Sequence, residues 1–233
     1  MNMLRVCKRK LSWGMVCLFI LSAGSESAIG QGSFTGLGYL PGGGLQSLAY
    51  GVSSDGSVVV GFASSAFCPG GEAFRWTDVG GMVGLGGLPG GGCFSQAYKV
   101  SSDGSVVVGR SHTAPGTEAF RWTSSGMVGL GDLAGGIYYS DAYDVSSDGS
   151  VVVGQRGSVL GLDEAFRWTS GGGMVGLGDL PGGSFYSYAY GTSPDGSVVV
   201  GASYSASSGQ EAFRWTSSGM IGLGDLPAAC LIA

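Results

Sequence analysis

Hydrophobic residues in this chain fall in short clusters that recur in step. The phrase AYDVSSDGSVVVGQ runs from Ala142 to Gln155, and close variants begin at Ala49, Ala97 and Ala189, a period of about 47 residues. A second phrase, EAFRWT, starts at Glu72, Glu118, Glu164 and Glu211. A third, GMVGLG or GMIGLG, starts at Gly81, Gly126, Gly173 and Gly219. Four copies of three phrases in one order mark an internal repeat.

Within one copy the pattern predicts four strands, at Ala142–Ser146, Val151–Gly154, Glu164–Thr169 and Met174–Leu180. Ser-Ser-Asp-Gly before the valines reads as a hairpin turn, with glycine at positive φ and Asp or Ser bonded to the local backbone. Ser-Gly-Gly-Gly before Met174 reads as the second. Val151, Val152 and Val153 do not alternate with polar residues, which predicts a strand covered on both faces. In EAFRWT the residues do alternate: Glu164, Phe166 and Trp168 share one face, and Ala165, Arg167 and Thr169 the other.

A four-stranded sheet with two apolar faces cannot bury them alone, and radial stacking of such sheets at this period builds a β-propeller. The expected fold class is therefore all-β, a propeller-like array of four-stranded antiparallel blades. The blades cover about residues 49–96, 97–141, 142–188 and 189–227. An open solenoid or arc is the other arrangement the pattern allows. Residues 31–48 contain GSFTGLGYLPGGG, which resembles the fourth-strand phrase and reads as a spare N-terminal strand, the outer strand of an incomplete blade, followed by a link. Residues 228–233 match no repeat, so the expectation is either a chain cut short or a four-bladed ring with an edge strand.

Composition supports this picture and adds an address. Glycine occurs 48 times without a three-residue period, which suits many tight turns. Residues 1–30 carry Arg5, Lys8, Arg9 and Lys10, then an apolar run from Leu11 to Ala23, then the small residues Ala28 and Gly30. That is the form of a secretory signal peptide, too short in its apolar part for a membrane anchor, and it predicts a secreted or cell-surface protein with no membrane span in the mature chain. Without the leader, seven Lys and Arg remain against fifteen Asp and Glu, a net charge of −8. Nucleic acid is not expected as a partner of such an acidic chain.

Cys68, Cys93 and Cys230 remain for a compartment in which disulfides persist, and Cys68 with Cys93, in loops at the same end of the repeat, is the candidate pair.

Ala-Phe-Arg-Trp at residues 73–76, 119–122, 165–168 and 212–215, with the Ser-Ser-Asp-Gly turns and the Gly-Leu-Gly ends, resembles the HAF-type extracellular repeats of bacteria. The likeness covers most of the chain after the leader, although Glu72, Glu118, Glu164 and Glu211 stand where the family name puts histidine. The resemblance implies a secreted or surface-attached repeat protein without an assigned biochemical activity.

Candidate chemistry is sparse. The turns predict two ends to each blade, one with nearly invariant turns and one with variable loops and links. Phe94, Tyr138, Tyr139, Phe185 and Tyr186 lie at the variable end and are the candidate ligand-binding residues, with an extracellular glycan or a surface protein as partner. Packing over the blade ends is the alternative role for these aromatics. Asp55, Asp103, Asp148 and Asp195 share an end with Arg75, Arg121, Arg167 and Arg214, which predicts a structural Asp–Arg contact in every blade.

No catalytic residue, metal site or cofactor is expected. His112 is the sole histidine, and the acids outside the repeat pattern, Asp78, Asp141, Asp144 and Asp163, form no obvious pair. The expected function is a non-catalytic structural or interaction role. A carbohydrate- or protein-binding propeller module is the first alternative, and a fragment of a glycoside-processing enzyme the second.

Overall fold

The computed structural model describes residues 33–133, 136–158, 162–206 and 209–224. The leader, Cys230 and the 228–233 tail lie outside the described residues. Two units divide the chain, and Gly36–Ala233 holds all the strands.

Among the described residues sixteen strands and no helix are found, and the strands form four successive antiparallel meanders. The first comprises β1 (Ser47–Val52), β2 (Val58–Ala63), β3 (Glu72–Thr77) and β4 (Gly81–Gly84). The second comprises β5 (Ser95–Val100), β6 (Val107–His112), β7 (Thr117–Thr123) and β8 (Gly126–Gly129). The third comprises β9 (Gly136–Val145), β10 (Val151–Ser158), β11 (Asp163–Thr169) and β12 (Gly173–Gly176). The fourth comprises β13 (Gly182–Thr192), β14 (Val199–Ser205), β15 (Gly209–Thr216) and β16 (Gly219–Gly222). A single parallel bridge, Thr117 to Tyr139, joins the second and third meanders into one sheet. No helix among the described residues is long and apolar enough to cross a membrane.

The phrases of the repeat find their reasons here. In the Ser-Ser-Asp-Gly turn, Asp55 Oδ1 accepts from Ser53 Oγ at 2.7 Å and from the Ser57 amide at 3.0 Å, while Ser53 Oγ accepts from the Val58 amide. The glycine closes the turn at positive φ, 76° for Gly56 and 71° for Gly149. The glycine after the valines is needed for a different reason. A Cβ on Gly61, Gly109 or Gly154 would stand 1.9 Å from a carbonyl oxygen of the first strand.

Faces alternate as the strand period requires. Val58, Val60 and Ala73 of the first meander pack against Val107 and Phe120 of the second. Val106, Val108 and Ala119 pack against Val152 and Phe166 of the third, and Val151, Val153 and Ala165 against Val199 and Phe213 of the fourth. Each boundary thus sets valines and an alanine against a phenylalanine of the next meander, and Phe120, Phe166 and Phe213 are fully buried.

Three polar contacts repeat across each boundary. The Ala73, Ala119 and Ala165 amides donate to Ser95, Ser140 and Ser187 Oγ, each at 2.9 Å. The Arg75, Arg121 and Arg167 guanidiniums donate to the carbonyls of Gly104, Gly149 and Gly196 in the next meander. The third contact is a belt of turns: the Ser54 amide donates to Ser102 O, Ser102 to Ser147 O, and Ser147 to Pro194 O.

Two expectations need correction. The repeated arginines do not pair with the turn aspartates: the serines on either side bond each carboxylate, and the arginine donates instead to the neighbouring turn's carbonyl. Residues 33–46 form no strand. The fourth-strand phrase splits after its Gly-Met-Val-Gly, and the rest is a connection; GLGYLPGGG matches that connection, not the strand. Leu40 accordingly packs on Phe74 and Ala63 as a link leucine, and Ser47 Oγ donates to Gly38 O as Ser187 Oγ does to Gly178 O. The same split ends β12 at Gly176, short of the expected Leu180, while β9 and β10 run further than expected because their ends pair with each other.

Candidate functional site

The first strands of the four meanders converge on one cavity. Val52, Val100, Val145 and Thr192, at the ends of β1, β5, β9 and β13, line a space of about 440 Å³. Lys99 and Asp144 also line it, with Nζ and Oδ1 3.7 Å apart, and Asp144 Oδ2 accepts from the Thr192 amide at 2.8 Å.

A column of tyrosines continues from this cavity along the same strands. Each first strand slips register by one residue at the Ala-Tyr step opposite the invariant glycine, leaving Tyr50, Tyr98, Tyr143 and Tyr190 as the extra residues. The bulge re-aims the tyrosines toward one another. Ring centroids lie 6.1, 6.0 and 6.0 Å apart along the series. The ends are open, Tyr50 being 46% and Tyr190 54% exposed. Burial pushes the Tyr98 hydroxyl up to about 12, and raises Tyr143 further with the help of the nearby Asp141 charge.

One cross-strand pair beside each tyrosine changes from meander to meander: Leu48 with Phe62, Gln96 with Arg110, Asp141 with Gln155, and Tyr188 with Ala202. The two middle pairs form a polar cluster. Tyr98 Oη and Arg110 Nε both donate to Gln96 Oε1, at 3.1 and 3.0 Å. Asp141, 2% exposed, accepts on Oδ2 from Gln155 Nε2 at 3.2 Å, and its Oδ1 lies 3.7 Å from Arg110 Nη1. Asp141 Oδ1 and Gln155 Oε1 are buried acceptors to which no described residue donates a hydrogen bond. Tyr188 donates to Asp163 Oδ2 at 3.1 Å and stacks on Tyr190.

The five aromatics singled out in the sequence do not form one surface. Phe94 stacks on His112 at 4.3 Å and tilts against Phe62, so this part of the loop is packing. Tyr139 turns inward to the polar cluster, its hydroxyl raised first by burial and then by the Asp141 charge. Tyr186 packs on Tyr204 with centroids 5.7 Å apart, and Phe185 is 38% exposed. Tyr138 is 59% exposed and holds φ at 55°, a conformation a bulky side chain seldom takes, with its amide donating to Asp132 Oδ2 at 3.2 Å. Close to these loops, Cys68 and Cys93 form a disulfide with Cα atoms 5.5 Å apart. Among the described residues no group of three or more His, Cys, Asp and Glu is placed to hold a metal ion.

Comparison with solved structures places this architecture. TolB from Acinetobacter baumannii superposes with a TM-score of 0.52 at 15% identity, over 72% of this chain and 40% of that one. A protein assigned as TolB from Agrobacterium tumefaciens gives 0.53 at 13% identity, over 76% of this chain and 61% of that one. The likeness is one of fold. It makes the chain β-propeller-like, and the chain spans about two fifths to three fifths of the length of these neighbours. No family model matches the chain, and no curated protein matches it.

The column lies within the repeated first strands, away from the variable loops that carry the candidate aromatics. The signal was present inside the invariant phrase. Between fixed Ser and Ala stand Leu48, Gln96, Asp141 and Tyr188, and after the fixed tyrosine stand Gly51, Lys99, Asp144 and Gly191. Positions that vary within a fixed frame are the ones the frame does not need.

Proposed function

We propose that this chain is a non-catalytic interaction module outside the cell, a propeller of four-stranded blades whose tyrosine column receives a hydroxyl-rich ligand such as an extracellular glycan. The observation that carries this reading is the column itself, four tyrosines about 6 Å apart with exposed ends at Tyr50 and Tyr190. Tyrosine offers an apolar ring face for a sugar ring and a hydroxyl for its oxygens. The signal-like residues 1–30 and the likeness to HAF-type repeats support a secreted or surface-held setting.

The test is titration calorimetry against a panel of soluble polysaccharides, with Tyr50→Ala and Tyr190→Ala. Both residues are exposed, so the variants keep their fold. Binding weakened at least tenfold by either substitution is the expected result. Binding that neither substitution alters, or no binding to any polysaccharide, rejects the reading.

A second reading places the ligand at the variable end, favoured by the backbone of Tyr138, whose unusual φ stands beside a small cavity of about 110 Å³ lined by Glu118, Asp132 and Ser140. Loss of binding on Tyr138→Ala but not on Tyr190→Ala would select it.

A further inference from the structure

The interface that joins one meander to the next occurs three times, and each of its two halves occurs once more with no partner among the described residues. On the trailing face, Val60, Val108 and Val153 are fully buried, whereas Val200 is 44% exposed. Ala73, Ala119 and Ala165 are likewise buried, whereas Ala212 is exposed. Leu130 and Leu177 are 5% and 9% exposed, and Leu223 is 59% exposed. The leading face gives the converse. Ala97, Ala142 and Ala189 are fully buried, and Ala49 is exposed.

The polar contacts match in the same sense. At every boundary the earlier meander donates through an alanine amide and an arginine, and the later one accepts through a serine hydroxyl and a glycine carbonyl. Ala212 and Arg214 are the corresponding donors of the fourth meander, and Ser47 and Gly56 the corresponding acceptors of the first. The turn belt alone is not continued, since Pro194 accepts from Ser147 and has no amide hydrogen to pass on.

We propose that the chain associates with a second copy of itself head to tail, the fourth meander of one copy packing on the first meander of the other through a repeat of the internal interface. The occupant follows from continuity: the surface that fits a trailing face is already known from three instances in this molecule, and it is a leading face. Such contact is heterologous, so each copy keeps one donor face and one acceptor face.

Sedimentation velocity of the full chain over a range of concentrations tests this, with Ala212→Arg and Ala49→Arg. Near-ultraviolet circular dichroism of the repeat tryptophans verifies that each variant is folded, and Val200→Arg serves if Ala212→Arg is not. The wild type is expected to sediment as species larger than the monomer in a concentration-dependent way. Each variant alone is expected to remain monomeric, and an equal mixture of the two to form a one-to-one dimer that grows no further, since one intact face of each kind remains. A wild type that stays monomeric overturns the proposal. So does a mixture that stays monomeric while the wild type associates, which would mean a like-to-like interface.

Discussion

Replacing Ser95 by alanine should be far more damaging than the same change at Ser47, although both serines open the same phrase. Ser95 Oγ accepts the Ala73 amide at 2.9 Å and donates to the Gly86 carbonyl, so one hydroxyl ties together two meanders and a link. Its removal strands a fully buried amide and a partly buried carbonyl. A buried polar group left without a partner costs about 1–3 kcal/mol, so Ser95→Ala should lose roughly 2–3 kcal/mol. Ser187, with the same two partners in Ala165 and Gly178, should behave alike. Ser140 is bonded to the Ala119 amide and should lose about 1–2 kcal/mol. Ser47 makes a single exposed bond to Gly38 O, and its loss should fall within about 0.5 kcal/mol. Urea unfolding followed by tryptophan fluorescence gives these differences directly, and a domain of this size should show about 2–4 °C in Tm for each kcal/mol. Equal effects at Ser95 and Ser47 would refute the argument that the hydroxyl acts across the boundary.

Stability should fall at both ends of the pH scale. Asp55, Asp148 and Asp195 are pulled down to about 2, first by the serine hydroxyl two residues before each and then by the serine after it, so the stability they lend is present above the ordinary carboxylate value and lost as pH drops from about 4 toward 2. Burial raises Tyr98 and Tyr188 to about 12, so their contribution holds below pH 10 and disappears as pH rises through that value toward 12, which tyrosinate absorbance with circular dichroism would follow. An unfolding midpoint flat across either window would contradict these assignments. Reduction of Cys68–Cys93, which closes a separation of 25 residues, should remove about 3 kcal/mol by loop entropy, measured as a shift in urea midpoint with and without reductant; no shift would mean the reduced chain keeps the same restraint.

Much of this fold is legible in the sequence because the repeat multiplies each weak signal by four. The valine runs announced strands covered on both faces, and Val152 and Val153 are fully buried. Ser-Ser-Asp-Gly announced its turn, because a short acceptor and a glycine at positive φ are what that turn requires. The fourth strand ends sooner than its apolar phrase suggests, since Leu180 is apolar for the sake of the link's packing and not of a strand. The arginine partner was beyond reach for another reason: Arg121 bonds a carbonyl 28 residues away, and carbonyls carry no mark in a sequence. The tyrosine column depends on a one-residue bulge, which period-two reasoning has no way to place.

The three contacts that repeat between successive meanders point the same way along the chain, from the donor side of the earlier to the acceptor side of the later. Every unit therefore ends in a surface that any other unit can read. A gene built this way can lengthen or shorten by unequal recombination between its own repeats, with no new surface to invent at the splice. The Pro194 turn is the one place where such an insertion would interrupt a run of hydrogen bonds, since that position accepts a bond from behind and has none to give ahead.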